Sequence, residues 1–275
     1  MKVRKMTFKD LYYVLRICNS AFLEMARWTS RIAPAIIESM EKYPELQLVA
    51  EHDGKIVGFL RGGYKEDSLK ILHIAVSPSF QGKGIGSKLL EEFESIAVKK
   101  GFRKITLDTP FAKRFYEKNG YKCVKIEYAL IFETIGKELM DVKNTEIMKL
   151  SNISMLIERF GRDAYSFLKE YFKTFDTSSD KAFIYFDDDK VAGSIVGSIN
   201  RWCTDLLEIR SILYNDERIK WKLIDKIIFE ASLSGIRWIG YKTYKKEEYK
   251  SLLSEGWKES KLPYWWTKYF MEKEI

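Results

Sequence analysis

The chain is poor in the residues that build metal centres and disulfides. Its three cysteines, Cys18, Cys123 and Cys203, lie far apart and form no C-x-x-C pair, so neither a disulfide framework nor a zinc site is indicated. They read as small buried apolar residues. The only histidines are His52 and His73, too few for a multi-histidine metal site. Glutamine occurs only at positions 47 and 81 in a chain rich in Lys and Glu, a bias associated with thermophilic proteins. No run approaches the ~18 apolar residues that cross a bilayer, and the charged first ten residues contain no apolar signal region. The expectation is a cytoplasmic protein without membrane contact. Lys and Arg outnumber Asp and Glu by 47 to 39, a net charge of +8 that suits an acidic ligand. These charges are interspersed and no nucleic-acid motif accompanies them, so no nucleic-acid partner is expected.

What is present is apolar substance. With 275 residues, 46% hydrophobic and 15% aromatic, the chain can build two ordinary cores. Along the first half, Lys2–Met6 alternates as a strand, and Thr7 is placed to cap a helix reaching about Glu24. Pro34 is expected to start a second helix. Strands at 46–51 and 56–62 flank His52-Asp53-Gly54-Lys55, whose Asp-Gly pair supplies the positive φ angles of a hairpin turn. Ile71–Val76 is the next strand.

After it comes Gln81-Gly82-Lys83-Gly84-Ile85-Gly86, which opens a helix running to about Lys100. Unpaired N–H groups at a helix start, with the positive end of its dipole, form a phosphate site. Glycine at 82, 84 and 86 avoids a Cβ that would obstruct phosphate or forbid a positive φ. A dinucleotide G-x-G-x-x-G or a Walker loop would need glycine at 87, where Ser87 stands.

The Q-x-x-G-x-G spacing, preceded by Ile74-Ala75-Val76-Ser77-Pro78 and followed by Phe115-Tyr116-Glu117-Lys118-Asn119-Gly120-Tyr121, resembles the GCN5-related N-acetyltransferase (GNAT) superfamily over roughly residues 1–133. The resemblance implies an α/β fold with a mostly antiparallel mixed sheet flanked by helices. It implies acetyl-CoA as co-substrate, no metal, and direct attack by a primary amine of a small molecule or peptide. Ile74, Ala75 and Val76 would face the pantetheine arm and thioester, and Gln81, Gly82, Lys83, Gly84, Ile85, Gly86 and Ser87 would hold the diphosphate. Tyr116 matches the family tyrosine that protonates the coenzyme sulfur, and a phenol with a pKa near 10 is protonated at neutral pH. The other reading of Tyr116 is an aromatic anchor packed with Phe111 and Phe115.

For the base, Asp108 resembles in place the glutamate of ribosomal-protein alanine acetyltransferases; otherwise it is a turn carboxylate before Thr109-Pro110. His73 is the runner-up, and Lys70 holds the place of the glutamate base of the histone-acetylating branch, so that base is absent. Deprotonation relayed by solvent is a further route. Trp28, Tyr64 and Tyr128 are candidates for lining the acceptor pocket.

The second half repeats landmarks of the first. Lys190-Val191-Ala192-Gly193 stands 135 positions after Lys55-Ile56-Val57-Gly58, Glu208-Ile209 falls opposite His73-Ile74, Gly235-Ile236 opposite Gly101-Phe102, and Gly256-Trp257-Lys258 opposite Gly120-Tyr121-Lys122. A duplicated domain follows. The expectation is a catalytic domain at 1–136 and a degenerate copy at 145–275, with Tyr128–Glu133 closing the first and Tyr269 onward closing the second. At a spacing of 135, Gln81, Gly84 and Gly86 become Asp216, Ile219 and Trp221, and at 136 Tyr116 becomes Leu252, so the second copy should hold no coenzyme. A binding protein that senses or recruits through acyl-CoA without turnover is the alternative function, and an enzyme for longer acyl groups a third.

Overall fold

The computed structural model describes residues 1–21, 28–174, 181–262 and 265–275. In chain order the elements are β1 (Lys2–Lys5), α1 (Leu11–Ala21), α2 (Trp28–Lys42), β2 (Gln47–His52), β3 (Lys55–Lys65), β4 (Ser68–Val76), α3 (Ile85–Lys99), β5 (Lys104–Thr109), α4 (Lys113–Lys118), β6 (Lys122–Glu133) and β7 (Thr145–Ile147). They continue with α5 (Ile153–Phe160), α6 (Arg162–Thr174), β8 (Lys181–Asp187), β9 (Lys190–Asn200), β10 (Cys203–Tyr214), α7 (Glu217–Leu233), β11 (Trp238–Thr243), α8 (Lys246–Ser254), β12 (Lys258–Glu259) and β13 (Lys268–Glu274). The chain divides into two compact units, Met1–Glu127 with Lys268–Ile275, and Tyr128–Thr267.

In the first unit the strand order is β1-β2-β3-β4-β5-β13-β6, antiparallel except for the parallel β4–β5 pair. The β2–β3 turn is the expected one, with Asp53 at φ 50° and Gly54 at φ 72°. On one face of the sheet α3 buries Ile85, Leu89, Leu90, Phe93 and Ala97 against Leu48, Leu60, Leu69 and Ile105. On the other, α1 and α2 bury Val14, Ile17, Ile32 and Ile36 against Val49, Phe59 and Ala75. Alternation along β3 explains the division, since neighbouring Phe59 and Leu60 point to opposite faces. Pro34 lies inside α2 rather than at its start, because the helix begins at Trp28.

The second unit repeats the plan as β7-β8-β9-β10-β11-β6-β12, again with one parallel pair, β10–β11. The expected boundaries at 136 and 145 therefore need correction. Tyr128–Glu133 pairs with β11 in the second unit, and Lys268–Glu274 lies between β5 and Lys122–Glu127 in the first. Each unit is closed by a strand from the other half of the sequence. Residues 122–133 contain no Gly, Pro, Asn or Asp to form a turn, so they make one continuous strand instead of a hairpin.

Among the described residues no helix is long and apolar enough to cross a membrane, and no group of three or more His, Cys, Asp or Glu is placed to hold a metal ion.

Candidate active site

The site is built where β4 and β5 part. They pair only at Leu69–Ile105, Lys70–Thr106 and Ile71–Leu107. Leu72 is then an extra residue between the Arg61–His73 and Gly62–Ile71 pairs of β3 and β4. Such a bulge bends the strand. Beyond it β4 pairs with β3 alone, and Asp108 and Thr109 of β5 pair with β13 alone.

Past Val76, the Ser77 amide donates to the Val57 carbonyl at 2.8 Å, and the Gln81 amide side chain donates to the Val76 carbonyl at 3.1 Å, which fixes the loop's departure from β4. Gly82 and Gly84 take φ of +75° and +78°, Gly84 being the N-cap of α3. No heavy atom lies within 4 Å of where a Cβ at either would stand. Gly86 answers a different demand: a Cβ there would come within 3.0 Å of the Phe115 ring. The result is a groove of about 550 Å³ whose walls include Ile74–Val76, Gln81, Gly82 and Gly84–Ser87. Lys83 is not among them; its ammonium sits 4.9 Å from the centre of the Phe80 ring. Phe80, Ala112 and Phe115 also line the groove, and sequence reasoning missed all three. The glycine at 86 was the available signal for Phe115, since a glycine inside a helix marks close approach of a neighbour. The open cradle, the helix amides and the apolar far wall fit a diphosphate joined to a less polar arm.

Tyr116 is buried in the first unit's core, 4% exposed, with its ring edge-on to Phe115 and Tyr121. It does not line the groove. Burial, and behind it the charge of Asp108, push its phenol up, so it is protonated at neutral pH. Asp108 forms an ion pair with Lys70 at 2.6 Å. Burial pushes its carboxyl up, but the hydrogen bond and charge of Lys70, aided by Lys268 and His73, hold it below its usual value. Asp108 does not cap the following turn; the Thr109 hydroxyl does, accepting from the Ala112 amide at 3.1 Å. His73 Nδ1 lies 3.0 Å from a nitrogen of the Arg61 guanidinium, so that ring nitrogen is the acceptor. Burial and Arg61 push the imidazole down to about 3, which keeps it neutral and a poor proton acceptor at pH 7. Arg61 itself is buried and also donates to the Ser39 hydroxyl at 2.9 Å. An arginine within the apolar run 56–62 was its sequence signal.

Of the acceptor-pocket candidates, Tyr64 is directed elsewhere, to Glu45 at 2.7 Å and to Tyr43. Tyr128 stacks on Tyr249 in the second unit, and the Trp28 side chain lies outside the described residues.

Strand register shows how the second unit differs. Gly58 faces Val76, and its counterpart Gly193 faces Tyr214; likewise Gly63 faces Lys70 and Ser198 faces Glu208. Glu208 is thus the counterpart of Lys70 and not, as expected, of His73. Gly58 packs on Ile85 and Leu89, and Gly193 on Ile219 and Leu223, so Ile219 answers Ile85 and Lys220 answers Gly86. Eight residues, Ser77–Gly84, join Val76 to Ile85, but only four, Asn215–Arg218, join Tyr214 to Ile219. The connection from strand to helix is shortened, not merely substituted. The start of α7 is capped by its own Asp216, whose carboxylate accepts from the Arg218 amide at 2.7 Å. The backbone bonds Tyr121 to Tyr116 and Trp257 to Leu252 set Leu252 opposite Tyr116, hence Glu248 opposite Ala112. The Lys220 ammonium, 3% exposed, bonds to the Glu248 carboxylate, so an ion pair stands where the first unit has its groove.

Residues 44–123 match the family model of the acetyltransferase (GNAT) domain. An acetyltransferase of Photorhabdus laumondii is 36% identical over 88 residues, 31% of this chain, which spans only 57% of that relative's length. An uncharacterized N-acetyltransferase of Methanocaldococcus jannaschii is 30% identical over 131 residues, 46% of this chain and 81% of that protein. A solved tandem GNAT protein from the clavulanic acid biosynthesis pathway superposes with a TM-score of 0.61 over 99% of this chain and 98% of its own, at 13% identity, a likeness of fold alone. With the groove, the strand order and this relationship together, the chain belongs to the GCN5-related N-acetyltransferase superfamily.

Proposed function

We propose that the first unit moves an acetyl group from acetyl-CoA to a primary amine by direct attack, and that the second unit holds no coenzyme. The observation that carries this reading is the groove at the parting of β4 and β5, floored by two open glycines at the start of α3. Acetyl-CoA, when bound, supplies the thioester carbon that the amine attacks. The loop amides from Gly82 to Ser87 bind the diphosphate, while the edge of β4 at Ile74–Val76, unpaired on the β5 side, orients the arm and donates to the developing oxyanion. Tyr116 holds the proton destined for the departing sulfur. Asp108, made a weak base by its pairing with Lys70, cannot deprotonate an ammonium and receives by way of water only the proton that the nitrogen sheds after attack. The amine then enters neutral, so the rate rises with pH until the amine is deprotonated. The shortened loop, Asp216 cap and Lys220–Glu248 pair support an inactive second unit.

A non-catalytic acyl-CoA sensor is the second reading, favoured by a Tyr116 buried away from the groove and an Asp108 engaged by Lys70. Thiol release from acetyl-CoA across a panel of amines separates the two. Turnover with at least one amine class, reduced roughly 100-fold or more by Tyr116→Phe, is the outcome expected for the enzyme. Tight coenzyme binding with no release across the panel supports the sensor.

A further inference from the structure

The second unit contains a cavity of about 680 Å³ whose residues play no part in the groove of the first. Its floor is apolar, Ile224 and Ile228 of α7, and its walls carry three aromatic rings, Phe132, Trp221 and Trp257. The segment between β6 and β7 forms one side, held to α7 by the ion pair of Asp141 with Lys226 at 2.6 Å and by Leu139 and Val142 packed on the core. The remaining carboxylates of the wall are Glu138, Asp225 and Glu255. Among the described residues, none of these three has a lysine or arginine within ion-pair distance.

That composition runs against the chain as a whole, which carries a net +8. Here three acids share one cavity with no basic partner among the described residues. Desolvation, and then the charge of Glu255, push the Asp225 carboxyl up, and a cation placed beside the two acids would offset both effects. The aromatic walls have the same preference, because the faces of Trp and Phe attract cations. The chain's own ammonium groups already use two of these rings, Lys220 at 5.0 Å from Trp221 and Lys137 at 6.0 Å from Phe132. An apolar floor with aromatic sides and acids around it is complementary to a ligand with a methylene body and an ammonium end. An inorganic cation would leave the floor and rings unused, and an anion would be repelled.

We propose that this cavity is a binding site for an aliphatic primary amine, separate from the coenzyme groove and independent of the acetyl-transfer reading. Calorimetric titration of the full chain with 1,4-diaminobutane, without acetyl-CoA, tests it, with neutral 1,4-butanediol and tetramethylammonium as comparison probes. Saturable binding of the diamine is expected, retained in the Gly84→Glu variant, with neither comparison probe binding as tightly. Asp225→Asn with Glu255→Gln, near-isosteric changes, should weaken it at least about tenfold, and Trp221→Leu should weaken it as well. Circular dichroism melting establishes that each variant is folded. Unchanged binding in the double variant, equal binding of the diol, or heats that vanish at matched ionic strength overturn the proposal. Tighter binding of tetramethylammonium also overturns it, in favour of a quaternary-ammonium cage.

Discussion

Replacing Met271 by alanine separates the observed strand exchange from the arrangement expected of two sequential domains. Met271 lies four residues from the end of the chain, yet it is 1% exposed within the core formed by α3 and β2–β5. β13 is hydrogen-bonded on both sides, with Met271 opposite Leu107 of β5 and Cys123 of β6. Truncating a buried methionine costs about 2–5 kcal/mol through lost burial and the cavity left behind. Against a typical total of ~5–15 kcal/mol, that is a large fraction of the stability of whichever unit contains it. Hydrogen exchange read by mass spectrometry should show protection falling by about 30-fold to a few thousandfold in Lys104–Thr109 and Lys122–Glu127. The amides of β8–β11 should keep theirs. Faster exchange in β11 with β5 unaffected would refute the assignment of the last strand to the first unit.

Gly84→Glu should cost only ~1–2 kcal/mol of stability, for a side chain at positive φ with open space around it, while coenzyme affinity measured by calorimetry falls about a hundredfold or more. The Asp108 carboxyl sits below its unfolded value, so the Lys70 pair stabilises above pH ~3.9 and that contribution disappears as pH falls through the folded value. Lys70→Met leaves burial as the dominant influence, and a carbon-detected NMR titration of Asp108 should show its midpoint moving upward. The loss at neutral pH should stay under ~1 kcal/mol, because the pair is about a third exposed. In the second unit Glu248→Ala leaves the buried Lys220 ammonium with Glu217, at 3.3 Å, as its carboxylate partner, and should cost less than the ~3–5 kcal/mol of a stranded charge by denaturant titration, with part of the loss restored when Lys220→Met is added.

Most of the groove was legible because the segment that lines it is continuous in sequence. A strand, a glycine loop and a helix start occupy consecutive residues, and the positive φ at Gly82 and Gly84 is a property of the backbone there. Phe115 and Ala112 were harder to read, since they reach the groove from an element about thirty residues away. The engagement of Asp108 by Lys70, and of His73 by Arg61, depends on which side chains adjacent strands bring together. The second copy shows a related limit. A constant spacing aligned β9 with β3 correctly, but insertion and deletion around β10 moved the true counterparts, so that Lys220 rather than Trp221 answers Gly86.

By itself the sequence determined that the chain carries two copies of one α/β plan and that the glycine loop at 81–86 occurs in the first alone. Both follow from local pattern: periodicity, glycine placement and turn residues. Which copy each closing strand completes was decided only by tertiary structure. Tyr128–Glu133 and Lys268–Glu274 offer the same backbone donors and acceptors to either sheet, and nothing in their residues names a partner. The missing turn after Glu127 leaves β6 to run on into the second unit, and the vacant place beside β5 is then filled by the last strand of the chain.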